Sequence, residues 1–106
     1  MEKIIIDFGV YTALTVDLTE FDFTGVKEVV MTASNWLVDC KSSVIFERKY
    51  TEPIIHNEII TPDESKKITN NAYYDFDKIM TDGKRYKLSE KGKIEVRRGC
   101  GECQAR

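Results

Sequence analysis

The residues best equipped for chemistry are few. Cys100-Gly101-Glu102-Cys103 forms a C-x-x-C. A redox pair of this spacing works at a helix amino terminus, where the dipole lowers the thiol pKa. Here it follows a strand pattern. A structural metal site needs about four ligands, and the chain adds only Cys40 and His56. Cys100 and Cys103 are therefore weak candidate metal ligands, and residues 99–106 are expected to form a flexible Cys-containing tail. His56 is the sole histidine, so any imidazole mechanism must use it. Its neighbours Ile55 and Asn57 offer no nucleophile motif, and a surface or satisfied structural residue is expected. Asp75, Asp77 and Asp82-Gly83 resemble pieces of a calcium loop, but the spacing of the acids and the missing terminal glutamate fail the EF-hand pattern. Solvated strand residues are the expectation. With no P-loop, dinucleotide-binding glycines or paired-carboxylate cleft, the expectation is no enzyme, no catalytic residue and no cofactor.

The elements that would position such residues are those of one small domain. A chain of 106 residues, 42% hydrophobic and 32% charged, with six glycines and two prolines, can bury one core and is too apolar for a disordered chain. A single domain over 1–98 is expected. The net charge of −2 hides an asymmetry. Residues 1–83 hold 8 Lys/Arg against 15 Asp/Glu (8 − 15 = −7), and residues 84–106 hold 8 against 3 (8 − 3 = +5). Two solvated surfaces of opposite sign account for this, as does head-to-tail contact between copies. The basic end has one aromatic, Tyr86, and no groove-reading motif, so no nucleic-acid partner is expected. The amino-terminal Ile4-Ile5-Ile6 is too short for a signal peptide or membrane span. No membrane association is expected, and the cysteines should be thiols in a reducing compartment.

Period-two alternation sets the fold class. Ile4, Ile6 and Phe8 mark a first strand ending at Gly9; Leu14, Val16 and Leu18 mark a second; Val29, Met31 and Ala33 mark a third. Phe21 and Phe23 straddle Asp22 in a polar loop, and are expected to plug the core or, alternatively, to form an exposed binding patch. Trp36 begins a segment readable as a short strand or a wide loop, with the ring buried or at an assembly interface. Val44, Phe46 and Tyr50 give a fourth inward face. Pro53 limits the next strand, over 54–60, to an edge or a strand start.

Residues 59–96 carry the clearest grammar. Thr61 can cap a helix, Pro62 suits its first position and Glu64 completes a capping box, predicting a helical turn near 62–68. Ala72, Tyr74 and Phe76 face one way and Tyr73, Asp75 and Asp77 the other. Asp82-Gly83 predicts a hairpin reversal; Tyr86 and Leu88 resume the inward face, Lys91-Gly92 turns the chain, and Ile94 and Val96 close it. About seven or eight short strands without a long helix predict an all-β, immunoglobulin-like antiparallel β-sandwich, with a small barrel as the alternative.

The order Ile59-x-Thr61-x-x-Glu64-Ser65, Ala72-x-Tyr74-Asp75-Phe76, Asp82-Gly83-Lys84 and Gly92-Lys93-Ile94-x-Val96 resembles the amino-terminal immunoglobulin-like domains of tailed-phage baseplate and tail-fibre proteins, including the baseplate upper protein family. Asn71 or Ala72 stands where that pattern has glycine, and Ser65 where it has threonine. The resemblance implies a non-enzymatic phage or prophage structural protein, in a virion or bacterial cytoplasm, that forms a homo-oligomer or contacts other tail or baseplate proteins. Trp36, Tyr73, Phe21 and Phe23 are the interaction candidates. A stand-alone module binding a surface glycan or host protein is the alternative, and a small metal or redox protein using Cys100 and Cys103 is a third reading.

Overall fold

The computed structural model describes residues 3–35, 44–69 and 71–98. Eight strands and one short helix follow in order: β1 (Ile4–Asp7), β2 (Thr12–Asp17), β3 (Val26–Asn35), β4 (Val44–Tyr50), β5 (Ile55–Ile60), α1 (Pro62–Lys66), β6 (Ala72–Met80), β7 (Arg85–Lys87) and β8 (Gly92–Arg97). One sheet runs β1-β8-β6-β3-β4, with β7 also on β6; the other holds only β2 and β5. All pairings are antiparallel except β1 with β8, which is parallel. This is an all-β, immunoglobulin-like sandwich.

Alternation produces the core as expected for one-sided burial. Ile6 of β1, Val16 of β2, Val29, Met31 and Ala33 of β3, Ile60 of β5, Ala72 and Tyr74 of β6 and Ile94 of β8 are all buried in one cluster. Three inward-facing assignments fail, each for a local reason. On β4, Val44 is exposed while Ile45 and Phe46 are both buried. The register with β3 shifts between Ala33 and Ser34, where Ala33 pairs with Phe46 and Ser34 with Val44. Ile45 is the extra residue of a bulge, which breaks the period of two. Tyr86 and Leu88 are exposed, because β7 pairs only with Asp77–Ile79 at the far end of β6, beyond where β8 joins at Ala72–Tyr74. Gly92 is no turn glycine: it is a buried strand residue paired with Tyr74.

The turns follow glycine chemistry where a positive φ is needed. Gly83 adopts φ 91°, and the Asp82 carboxylate accepts the Lys84 N–H at 2.9 Å, so Asp82-Gly83 reverses the chain as its sequence predicts. Gly92 serves close packing instead. A Cβ there would lie 2.5 Å from Cε1 of Tyr74, and Tyr74 is buried in the core with little room to turn. Gly92→Ala is expected to lower stability by about 1–3 kcal/mol through overpacking, measured by urea unfolding; Gly83→Ala, where nothing lies within 4 Å, is expected to cost less, through backbone strain alone.

Candidate interaction surface

The sandwich is closed on one side and open on the other, and the residues that close it come first. Arg48 lies on the inward side of β4, between Phe46 and Tyr50. Its Nε donates to Glu58 Oε1 of β5 at 3.0 Å, and one terminal nitrogen donates to Glu64 Oε1 of α1 at 2.8 Å and to the Ile59 carbonyl at 3.3 Å. The guanidinium also sits 4.9 Å from the Phe46 ring centroid. Beside it, Tyr50 stacks on His56 at 4.5 Å, and His56 Nε2 lies 2.9 Å from the Glu52 carbonyl. The sole histidine is thus a satisfied structural residue.

Helix α1 exists because its ends are chemically answered. Thr61 accepts the Glu64 N–H at 3.2 Å and Glu64 accepts the Thr61 N–H at 3.1 Å, with Pro62 at the start, the reciprocal capping box its sequence predicts. Four further hydrogen bonds hold it in place. Ser65, fully buried, donates to the Pro62 carbonyl and accepts the Gly9 N–H, each at 2.8 Å. Asn35 at the end of β3 donates to the Lys67 carbonyl and accepts the Thr69 N–H. Burial works to raise the Glu64 pKa, but the hydrogen bonds from Arg48 and Thr61 outweigh it and hold the carboxyl below its ordinary range. The Glu64 hydrogen bond is the main cause raising the pKa of Arg48, against desolvation.

The opposite side lacks such a clasp. Between β1 and β2 lies a groove of about 540 Å³, lined by Ile4, Leu14, Val16, Met31, Tyr74 and Phe76, with Lys3, Asp17 and Leu88 at its margin. Its wall is β2, and no strand among the described residues pairs with the second edge of β2 or of β5. The outer face of this two-strand sheet pairs Ala13 with Ile59, Thr15 with Asn57 and Asp17 with Ile55. All six are exposed, Ile59 at 53%, and Tyr11 beside them at 70%. These large apolar side chains share one uncovered face, which is the kind of patch that marks contact sites.

The basic carboxy-terminal strands pair with acids of the same chain: Arg85 with Asp77 at 2.6 Å, Lys87 with Asp75 at 3.0 Å and Arg97 with Asp7 at 2.9 Å. Asp75 and Asp77, expected to be solvated, are each only 7% exposed beneath these cations. No group of three His, Cys, Asp or Glu residues that could hold a metal occurs among the described residues. Phe21 and Phe23 pack edge to face at 4.8 Å and lie half-buried against the core; Tyr73 is half-buried on β6. Phe21 lines a small hollow with Asp17, Thr19 and Glu20 at the end of β2, whereas Tyr73 lies in the other sheet. Trp36, Cys40, Cys100 and Cys103 lie outside the described residues. Arg48 and Glu58 escaped sequence reasoning, although each is a charged residue at an inward-facing strand position, the one signal that marks them.

Arg48→Met keeps the aliphatic stem but removes the charged hydrogen bonds, and is expected to cost about 2 kcal/mol in urea unfolding. Because the folded Glu64 pKa is lowered, its contribution is complete above the unfolded carboxylate pKa of about 4.3 and is lost as pH falls through the folded value. Glu64→Gln, which preserves the capping geometry, should flatten the acid limb of the stability curve below about pH 4.

No family model matches the chain, and no curated protein does. Among solved structures, the chain is similar to a strand-swapped dimer of the extracellular domain of mouse leukocyte-associated immunoglobulin-like receptor 1. The identity is 15%, over 92% of this chain and 81% of that one, with a TM-score of 0.47. No helix among the described residues is long and apolar enough to cross a membrane.

Proposed function

We propose that this chain is a non-enzymatic interaction module that joins protein chains through its β2–β5 side. The observation that carries this reading is the exposed apolar face formed by Tyr11, Ile55 and Ile59 on a sheet of only two strands. A folded domain gains from covering such a face, because each exposed apolar side chain contributes about 1.5–3 kcal/mol when fully buried. A place among tailed-phage baseplate or tail-fibre proteins is the finer part of the proposal, and its support is the resemblance carried by Thr61, Glu64, Tyr74 and Gly92. Recognition of a host protein or glycan uses the same absence of internal cover and stands as the second form of this reading. Trp36, Phe21, Phe23 and Tyr73 remain proposed contact residues, as does the division into a 1–98 domain and a 99–106 tail.

Sedimentation velocity over a wide concentration range tests the self-assembling form. Association that rises with concentration and is lost in Tyr11→Lys/Ile59→Lys is expected. A strict monomer at millimolar concentration, unchanged by those substitutions, would contradict it.

A further inference from the structure

We infer that the open β2 edge and the groove beneath it accept one extended strand of a partner chain, carrying apolar side chains at alternate positions and a basic residue at the end that meets Asp17 and Glu20. This deepens the proposed interaction role and rests on it, but concerns the inner groove and edge and not the outer apolar face.

The backbone of β2 points the right groups outward. Leu18 N–H donates to the Ile54 carbonyl, and the register runs from Asp17–Ile55 to Thr12–Ile60. In an antiparallel ladder the bonded pairs alternate, so the even residues of β2 turn their amides to β5. Ala13, Thr15 and Asp17 turn theirs to the open edge. The run from Thr12 to Val16 is uncharged, whereas natural edges are guarded by charge, proline or bulges. Among the described edges, β4 carries Glu47, Arg48 and Lys49 and β7 carries Arg85 and Lys87 within the strand, whereas β2 carries a charge only at its last residue, Asp17, and its middle is bare.

The groove fixes the width and chemistry of the occupant. A sheet path of five strands faces a sheet of two, so the larger sheet extends past β2, and its Ile4, Tyr74 and Phe76 form the groove floor. A strand hydrogen-bonded to β2 would lie over this floor and place every second side chain on it. The β2 strand of a second copy brings no cation to this end, since residues 8–20 contain no Lys or Arg. Charge sets the direction. Asp17 lines the groove, with Glu20 beside it in the adjoining hollow; both are exposed and have no ion-pair partner among the described residues, while the neighbouring Lys3 is held by Glu95 at 3.1 Å. Hydrogen bonds from Thr19 keep Asp17 anionic to lower pH than usual. An incoming cation at this end is the complement.

The test uses nitrogen-15 NMR on the full chain carrying Tyr11→Lys and Ile59→Lys, so that association through the outer face cannot interfere. The probe is a synthetic peptide of about eight residues, in which six alternating valines and threonines match the six residues of β2 at roughly 3.3 Å each and two lysines follow at one end. Saturable shifts at the amides of Ala13, Thr15 and Asp17 are expected. They should vanish in Thr15→Pro, which removes an outward N–H without touching the β5 ladder, and weaken about threefold in Asp17→Lys. Should Thr15→Pro fail to fold, a peptide with its valines moved to consecutive positions serves as the control and is expected not to bind. Absence of shifts at millimolar peptide, or equal binding of the two peptides, would overturn the inference. A strict monomer of the unsubstituted chain in the sedimentation experiment, with these shifts intact, would count against the self-assembling form alone.

Discussion

Everything in this domain depends on how two sheets of unequal size are held together, and the Arg48 guanidinium is where that is done. It reaches from the edge strand of the larger sheet to Glu58 of the smaller one and to Glu64 of the helix. A partly buried cation needs paired acceptors to offset its lost hydration, and these are supplied by elements that are far apart in the chain. The capping box on α1 therefore has two roles: Glu64 both caps the start of the helix and anchors Arg48. Ser65 and Asn35 extend the same junction to the β1–β2 turn and to the end of β3, so one short helix connects most of the strands.

The other side of the sandwich shows what happens without such a clasp. With two strands facing five, the larger sheet is left partly uncovered and one edge unpaired. Immunoglobulin-like sandwiches commonly carry more strands in each sheet, so the smaller sheet here is short where the groove opens. The run from Thr12 to Val16 carries no charge, whereas β4 and β7 are charged within the strand. Exposed hydrogen-bonding edges promote pairing with other chains. The open edge beside an apolar groove is where the proposed contact forms, on the side away from the structural junction.

Much of the fold was legible because it follows from local rules. Period-two alternation located Ile6, Val16, Met31 and Tyr74 in the core, and Thr61, Pro62 and Glu64 announced the helix. Where sequence reading failed, a non-local fact intervened. A bulge between Ala33 and Ser34 buried Ile45 in place of Val44. Pairing confined β7 to the end of β6 and left Tyr86 exposed. Asp75 and Asp77 looked like solvent-facing acids until Lys87 and Arg85 folded over them. The candidate contact site was hardly legible at all: Leu14, Val16 and Ile4 read as ordinary core residues, and only strand order reveals that the sheet above them ends at β2. Gly92 looked like a turn residue, and only the position of the Tyr74 ring shows that it makes room in a strand.

The central claim is that the domain is clasped at β4–β5 and open at β2. Native-state hydrogen exchange, amide by amide, tests it most directly. Leu14 and Val16, whose N–H groups face β5, should exchange slowly, while Ala13, Thr15 and Asp17 on the same strand should exchange at rates close to those of an unprotected chain. Equal protection of odd and even residues along β2 would show that the edge is already paired, and would contradict the account.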